Sequence, residues 1–143
     1  MSGGARHEHL VIASDGGARG NPGPAAIGAV VLDPTTDPPT VVASVSEAIG
    51  VATNNVAEWK AVIAGLEAAL AFEPRSVEVR ADSQLVIRQL EGAYRVKHPD
   101  LVPLHRRAVD LLARIDEVRL RHVPRAENTD ADALVNAALD AAT

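Results

Sequence analysis

The spacing of the apolar residues changes at Asn55, and this change limits the folds that the chain can adopt. Before it, apolar runs at 9–14, 25–32 and 41–48 are separated by segments rich in glycine, proline and aspartate. Runs bounded by such turn residues predict β-strands, and the Pro-rich turn between the last two predicts an antiparallel hairpin. After Asn55 the apolar residues recur every three or four positions, which is typical of an amphipathic helix. The chain therefore begins with strands and continues with a helix.

The rest of the chain alternates between the two patterns. Strands are predicted at 76–81 and 117–123, with helices at 83–92 and 101–115 between them, and a helix at 130–141 closes the chain. The element order is βββαβααβα. We therefore predict an α/β fold with a five-stranded mixed sheet, in which three antiparallel strands precede parallel βαβ connections and helices cover both faces.

Length and composition favour one soluble domain. The chain has 143 residues, 47% of them apolar, so we expect a single domain over 1–143 with its core at about 10–141. It has no cysteine, which excludes disulfides, thiolate zinc sites and cysteine nucleophiles and fits a reducing compartment. No apolar run approaches the roughly 20 residues that span a bilayer, and the first ten residues lack a signal peptide's apolar stretch. We therefore expect a cytoplasmic protein that does not enter a membrane.

The charge is distributed unevenly along the chain. The net charge of −5 divides into −5 for residues 1–74, +4 for residues 75–125 and −4 for residues 126–143. A basic middle between acidic ends is expected if one surface meets phosphates and another gathers cations. Charge alone, however, favours the simpler interpretation of solvated helix faces.

Four acidic residues stand where predicted elements begin or end: Asp15 in SDGGARGNPGP, Glu58 in TNNVAEW, Asp82 in ADSQ and Asp132 in ENTDADALVN. Each has a structural explanation. Asp-Gly is a common turn pair, and Asp82 can cap the helix that follows it. Capping boxes can be formed by Asn55 with Glu58 and by Thr129 with Asp132. For any one of these residues, the structural interpretation is the better one.

Together, the four carboxylates predict a shared metal site. The strands that end at Asp15 and Asp82 can be neighbours in the sheet, with two helix N-termini nearby. Carboxylates about 4 Å apart repel each other by about 4 kcal/mol per pair at an effective dielectric constant of about 20. Such a cluster persists only with bound cations or raised pKa values, and its usual purpose is two-metal attack on a phosphate.

Four motifs, in a fixed order, resemble the type 1 ribonuclease H family: DGGARGNPGPAAIGAVV, TNNVAEWKAVIAGLEAAL, ADSQLVIRQLEG and ENTDADALVNAAL. The resemblance runs from about Leu10 to Leu139. It implies a ribonuclease H-like fold and an endonuclease that hydrolyses the RNA strand of RNA–DNA hybrids, giving 5′-phosphate and 3′-hydroxyl ends. It also implies that two Mg²⁺ or Mn²⁺ ions are bound, and that the metal-binding carboxylates are Asp15, Glu58, Asp82 and Asp132.

The resemblance also implies residues that contact the substrate. Positions that read minor-groove hydroxyls and base edges are matched by Gly20, Asn21, Asn54, Asn55 and Gln84. This agrees with the role of the 2′-hydroxyl, which distinguishes RNA from DNA. Thr53 matches a residue that helps hold a DNA-strand phosphate.

The sequence departs from the family's pattern in two segments. Many members carry a catalytic-loop histidine before the last helix, but VPRAENTDAD has none, and Arg125 is the nearest candidate for a comparable catalytic role in release of product or metal. The segment Gly92–Leu101 is too short for the basic protrusion of some members and leaves Tyr94, Arg95 and Lys97 as hybrid contacts. We therefore predict weaker hybrid binding than in those members.

Two rival functions and one larger context remain. The chain can be a module that binds hybrid or double-stranded RNA with weak or no cleavage, although a pure binder gains nothing from the repulsion among four carboxylates. It can also be a metal-dependent nuclease for double-stranded RNA or a structured junction. In actinobacterial proteins such a module is often fused to a C-terminal phosphatase-like domain. We expect a monomer.

Overall fold

A computed structural model describes residues 7–142 of the chain as a five-stranded sheet with helices against it. The strands are β1 (His9–Ala18), β2 (Gly23–Asp33), β3 (Thr40–Ala52), β4 (Ser76–Ala81) and β5 (Glu117–His122). The helices are α1 (Asn54–Leu70), α2 (Gln84–Leu90), α3 (Val102–Leu112) and α4 (Thr129–Ala141). The predicted domain limits at residues 1 and 143 lie outside the described residues.

The sheet has the order β3-β2-β1-β4-β5, so β1 is central. It pairs antiparallel with β2 and parallel with β4, while β2–β3 is antiparallel and β4–β5 parallel. The parallel pairing of β1 with β4 extends to Ser14 and Ala81. Asp15, the next residue of β1, and Asp82, which directly follows β4, therefore lie side by side at one edge of the sheet. The predicted α/β architecture is confirmed.

Helices cover the two faces of the sheet unequally. The main core lies under α1 and α3 and contains Leu10, Ile12 and Trp59, each at most 2% exposed. A smaller cluster lies on the opposite face, where α4 packs on β1, β2 and β3. Its buried members are Ala26, Val135, Ala138 and Leu139. Because each fully buried large aliphatic or aromatic side chain contributes about 1.5–3 kcal/mol, the α1 side supplies most of the hydrophobic stabilisation.

Two glycines let the helix N-termini approach the sheet closely. A Cβ atom at Gly16 would lie 2.2 Å from the carbonyl carbon of Ala57 on α1. A Cβ atom at Gly28 would lie 2.4 Å from the carbonyl oxygen of Ala131 on α4. Both distances are below any van der Waals contact, so only glycine permits these approaches. Glu58 and Asp132 each follow the helix residue that makes the contact.

The predicted helix caps are wrong in their residues. Thr53, not Asn55, caps α1, because its Oγ1 accepts a hydrogen bond from Val56 N at 3.2 Å. Ser83, not Asp82, caps α2 in the same way. Asn128 precedes α4 and makes no side-chain cap bond. The cap position lies two residues from the predicted one in α1 and one residue from it in α2 and α4, so Glu58, Asp82 and Asp132 are not engaged in capping.

Two further differences concern strand length and a loop. The first strand does not stop before Asp15 but continues through it to Ala18, because the antiparallel pairing with β2 runs to Ala18↔Ala25. The predicted loop before α4 contains a short 3-10 turn at Arg125–Glu127. Within residues 7–142, no helix is both long and apolar enough to cross a membrane.

Candidate active site

Three carboxylates meet at the edge of the sheet. Asp15 projects from β1, Asp82 follows the end of β4, and Glu58 extends from the first turns of α1. Each offers one ligand oxygen, and these oxygens all lie within 4.8 Å of one another. Asp15 is 6% exposed, whereas Glu58 and Asp82 are partly buried. The chain thus brings together three acidic groups that are 24 or more residues apart in sequence.

Asp132 faces this triad from the first turn of α4. Its Oδ1 accepts from Arg125 Nη2 at 3.5 Å, and its Oδ2 accepts from Asn136 Nδ2 at 3.4 Å. All four predicted carboxylates line one groove of about 580 Å³, and Arg19 and Arg125 line it as well. Arginines at the rim of an acidic groove place positive charge where an anionic substrate can bind.

Burial and mutual repulsion raise the pKa values of two of these groups. The pKa of Asp15 rises to about 7, first through loss of solvation and then through the charge of Asp82. The pKa of Glu58 rises to about 9, first through loss of solvation and then through the charges of Asp15 and Asp82. A cation between these groups would remove the repulsion and restore their ionised form.

The donor set fits a hard divalent cation. Carboxylate oxygens are the ligands that Mg²⁺ and Mn²⁺ prefer. Glu58 Oε2 is buried and has no hydrogen-bond partner among the described residues. A buried carboxylate oxygen without a donor is costly, and coordination to a cation would satisfy it. The residues present therefore fit a metal site.

A buried asparagine, which the sequence analysis missed, joins the two sides of the groove. Asn128, 1% exposed, donates from Nδ2 to the carbonyl oxygen of Ser14 at 2.8 Å. Its backbone carbonyl oxygen accepts from Asp132 N at 3.1 Å. Asn128 therefore ties the residue before Asp15 to the turn that carries Asp132. Nothing in its local sequence separates it from a loop asparagine, because the partner is 114 positions away.

Two more residues of the groove were also missed. Asn136 lies one helical turn after Asp132, a spacing that could have indicated its contact with that carboxylate. Arg19 bonds to Asp140 at 2.6 Å and so attaches the β1–β2 turn to the end of α4. The two residues are 121 positions apart, so the local sequence around either of them does not indicate the contact.

The predicted substrate residues of the two loops lie beside the carboxylates. Asn54 Oδ1 accepts from Ala18 N at 2.8 Å, and Asn21 Oδ1 accepts from Asn54 N at 3.1 Å. These bonds hold the turn containing Gly20 against the start of α1. Because both use amide oxygens, the NH₂ groups of the two side chains remain as donors. Asn55 is exposed next to them.

A second groove of about 410 Å³ adjoins the first. It is lined by Asn21, Thr53 and His98 among others, and it shares Asn54 and Asn55 with the carboxylate groove. The remaining predicted contacts lie elsewhere on the surface: Gln84 at the exposed start of α2, and Tyr94, Arg95 and Lys97 on the exposed segment after that helix. None of those four lines either groove.

A family model described as Reverse transcriptase-like matches residues 13–138. The chain is 50% identical over 126 residues to Ribonuclease HI of Halobacterium salinarum, covering 88% of this chain and 62% of the relative. It is also 50% identical over 133 residues to Bifunctional protein Rv2228c of Mycobacterium tuberculosis, covering 93% of this chain and 36% of that protein. The chain thus spans about a third to two thirds of the length of these relatives.

Solved structures agree with these similarities. The N-terminal ribonuclease H domain of Rv2228c matches with a TM-score of 0.88 at 48% identity, covering 92% of this chain and 99% of that one. LC11-RNase H1 in complex with an RNA/DNA hybrid matches with a TM-score of 0.85 at 41% identity, covering 93% and 98%. The expected resemblance is confirmed, and the chain belongs to the ribonuclease H family within the reverse transcriptase-like group.

Proposed function

We propose that the chain hydrolyses the RNA strand of RNA–DNA hybrids, leaving 5′-phosphate and 3′-hydroxyl ends. The observation that carries this proposal is the group of Asp15, Glu58 and Asp82, with ligand oxygens within 4.8 Å of one another, facing Asp132 across one groove. The relative LC11-RNase H1 has been solved with an RNA/DNA hybrid, which supports hybrid as the substrate class. A pure binding module would carry the repulsion of these carboxylates without benefit.

The metal would be Mg²⁺ or Mn²⁺, with two ions held by the four carboxylates. Asp15 lies between the other groups and would contribute to both positions, with Asp132 on one side and Glu58 and Asp82 on the other. When bound, such ions supply an activated water and neutralise charge on the leaving oxygen. The chain's own part is to hold Glu58 in place beside Asp15, which the close packing of Gly16 against α1 supports.

Recognition of RNA would depend on the two hydrogen bonds that hold the β1–β2 turn against the start of α1, which we call the clamp. The free NH₂ groups of Asn21 and Asn54, with the neighbouring Asn55, can donate to hydroxyls and base edges of a minor groove. Gly20, with φ of +89°, gives the turn a backbone conformation that favours glycine, and Gln84 stands at the start of α2.

The DNA strand would lie on the other side of this clamp. Thr53 lines the second groove, where a phosphate can bind near the N-terminus of α1. The exposed residues Tyr94, Arg95 and Lys97 extend beyond that groove and would contact the same strand.

Arg125 is proposed as a catalytic residue in place of the absent loop histidine. Its guanidinium is 81% exposed and 3.5 Å from Asp132. In that position the guanidinium can bind a phosphate oxygen of the substrate or product. A return of Arg125 from that phosphate to Asp132 would promote release of the product.

Cleavage of one labelled strand tests the proposal. The strand is presented as RNA–DNA, RNA–RNA and DNA–DNA, each with Mg²⁺, Mn²⁺ or EDTA. We expect cleavage of the RNA strand in the RNA–DNA duplex and none in EDTA. Asp82→Asn should abolish it, whereas Asp116→Asn, the same change at an exposed aspartate before β5, should not. Binding without cleavage in either metal would support the binding-module alternative, and faster cleavage of RNA–RNA would reassign the substrate.

The setting of the module is also a proposal. We infer a single domain over about residues 10–141 that works as a cytoplasmic monomer, joined in the full-length protein to a C-terminal phosphatase-like domain. The name of the relative Rv2228c as a bifunctional protein, of which this chain covers 36%, supports a second domain.

A further inference from the structure

Among residues 7–142, no helix packs on the β4–β5 part of one sheet face, and this part is basic. Side chains alternate along β4, so Val77 and Val79 face the main core while Glu78 and Arg80 face the opposite side. The parallel register pairs Glu78 with Arg119 and Arg80 with Arg121, which therefore share that side. Helix α4 packs on β1, β2 and β3 there. We call the part of this surface that is formed by Glu78, Arg80, Arg119 and Arg121 the open face. Glu117 projects from the same side at the start of β5, at the end of the strand away from the carboxylate groove, and pairs with Arg75 at 3.5 Å.

The open face carries three guanidinium groups and one carboxylate. Glu78 is only 17% exposed, and it lies between Arg80 Nε, in close contact, and Arg119 Nη1 at 3.9 Å. Its charge is thus shared between two cations. Arg119 remains 79% exposed despite that contact, and Arg121 is exposed. The surface has a net charge of +2 although the whole chain has −5, so it is suited to an anion rather than to packing.

The open face leads toward the carboxylate groove along β4. Arg80 precedes Asp82 by two residues, so the alternation of side chains places both on the same side of the sheet, and Asp82 lines the groove. Arg119 and Arg121 are separated by about 6.6 Å, the length of two residues of extended strand. Beyond β5 the chain leads to Arg125, which lies at the groove itself. A row of arginines therefore leads away from the place where the cleaved strand would lie.

We propose that the open face is a second nucleic-acid contact, which binds the single-stranded RNA that continues beyond the hybrid being cleaved. This inference rests on the proposed function, because that function sets an RNA strand at the start of the row. Exposed guanidiniums at strand spacing neutralise consecutive phosphates without reading sequence. The contact would favour hybrids with an RNA overhang over blunt ones.

Binding measurements with tailed substrates test the proposal. The variant is Arg119→Gln/Arg121→Gln, and the matched control is Arg107→Gln/Arg114→Gln, which removes two charges from the exposed α3 region on the other side of the sheet. Fluorescence anisotropy is measured with all proteins in an Asp82→Asn background, for one hybrid that is blunt or carries a ten-nucleotide RNA tail at its 5′ or its 3′ end.

We expect one of the two tails to tighten binding by roughly tenfold, and the open-face variant to lose that gain while its affinity for blunt hybrid is unchanged. The salt slope for the tailed hybrid should fall by about 1.4, since the variant removes two phosphate contacts and each contact of a single strand contributes about 0.7. The control should keep the full gain.

Three results would overturn the proposal: neither tail tightens binding to the parent, the open-face variant weakens blunt and tailed hybrids equally, or the control loses the same gain. Aggregation of the variant with tail binding intact would instead assign these arginines to protection of the β5 edge. Cleavage of blunt hybrid by the open-face variant with Asp82 intact is measured separately. If the parent protein did not cleave blunt hybrid, the proposed function would be contradicted. The comparison of tailed with blunt hybrids addresses only the open face.

Discussion

Helices α1 and α4 each bring one carboxylate to the same groove, but they are held in different ways. The first has seventeen residues, a side-chain cap at Thr53 and a buried face in the main core. The second has thirteen residues, no side-chain cap and a small cluster beneath it. It depends instead on single polar contacts: Asn128 to Ser14, Ser46 Oγ to the carbonyl oxygen of Leu134 at 2.7 Å, and Arg19 to Asp140.

The difference indicates that one ligand is fixed and the other is adjustable. Glu58 belongs to the close triad, and its helix cannot move without disturbing the main core. Asp132 is not part of that triad, and its partners Arg125 and Asn136 lie at long hydrogen-bond distances. A site with a rigid side and a mobile side can bind a metal firmly and still release product.

The largest expected effect concerns removal of each ligand's charge. We expect Glu58→Gln to lower kcat by at least roughly a hundredfold, a typical loss when a metal site is disturbed. Asp132→Asn should lower it less, because the amide oxygen can still coordinate and α4 can adjust. Steady-state cleavage of a blunt hybrid measures both, with Asp130→Asn in the same turn of α4 as the control. Equal losses in the two variants would contradict the distinction between fixed and adjustable ligands.

Glycine contacts provide the second comparison. Gly16→Ala should destabilise the protein by about 3 kcal/mol or more, since overpacking against backbone in a core has no easy relaxation. Gly28→Ala should cost about 1–2 kcal/mol, because α4 can shift outward, although activity should fall as Asp132 moves. Gly17→Ala, whose Cβ would lie 3.9 Å from Val135, is the control. Urea unfolding gives the free energies; a larger loss at Gly28 than at Gly16 would reverse our ranking of the two helices.

The third prediction concerns pH in the absence of metal. The folded protein keeps protons on Glu58 and Asp15 up to pKa values of about 9 and 7, whereas the unfolded chain loses them near pH 4. Folded molecules therefore bind more protons over this range, and the contribution of these groups to stability falls as the pH rises from about 4 to about 9. Glu58→Gln should stabilise the metal-free protein by about 1–3 kcal/mol at pH 8, since one pKa unit corresponds to about 1.4 kcal/mol.

Thermal unfolding at pH 5 and pH 8 in EDTA tests this expectation. The gain in melting temperature from Glu58→Gln should be larger at pH 8 and should shrink when Mg²⁺ is added, because the ion relieves the parent's repulsion. Glu67→Gln, at an exposed position on the same helix, is the control. If the gain in melting temperature did not depend on pH, ionisation of the Glu58 carboxyl would not be what destabilises the folded protein.

The smallest expected effect distinguishes the two helix starts. Thr53→Val removes the Oγ1 cap of α1 and should cost about 1 kcal/mol of stability. Thr129→Ala, at the first residue of α4, should cost less than about 0.5 kcal/mol, because that side chain makes no cap bond. Chemical unfolding of both variants supplies the comparison, and a larger cost at Thr129 would mean that α4 depends on its own first turn.

The sequence predicted the order of elements along the chain and the grouping of four carboxylates at one groove, because both leave local signals. The change from strand to helix spacing at Asn55 predicted the start of α1 to within a residue, and the polar ends of β1 and β4 predicted where Asp15 and Asp82 would meet. What it missed depends on distant partners. Asn128 and Arg19 look like ordinary loop residues until the folded chain places Ser14 and Asp140 beside them. The predicted cap of α1 was wrong because both Thr53 and Asn55 can cap a helix, and local sequence does not decide between them.

Trp59, next to Glu58, is the sole tryptophan of the chain; it is fully buried and packs edge-on against the ring of His105 at 5.5 Å. The protein therefore carries its single tryptophan, which can be excited apart from Tyr94, one residue from a candidate metal ligand. Its emission would report any displacement of α1 from α3 without a label, and titration with metal could be followed by light alone.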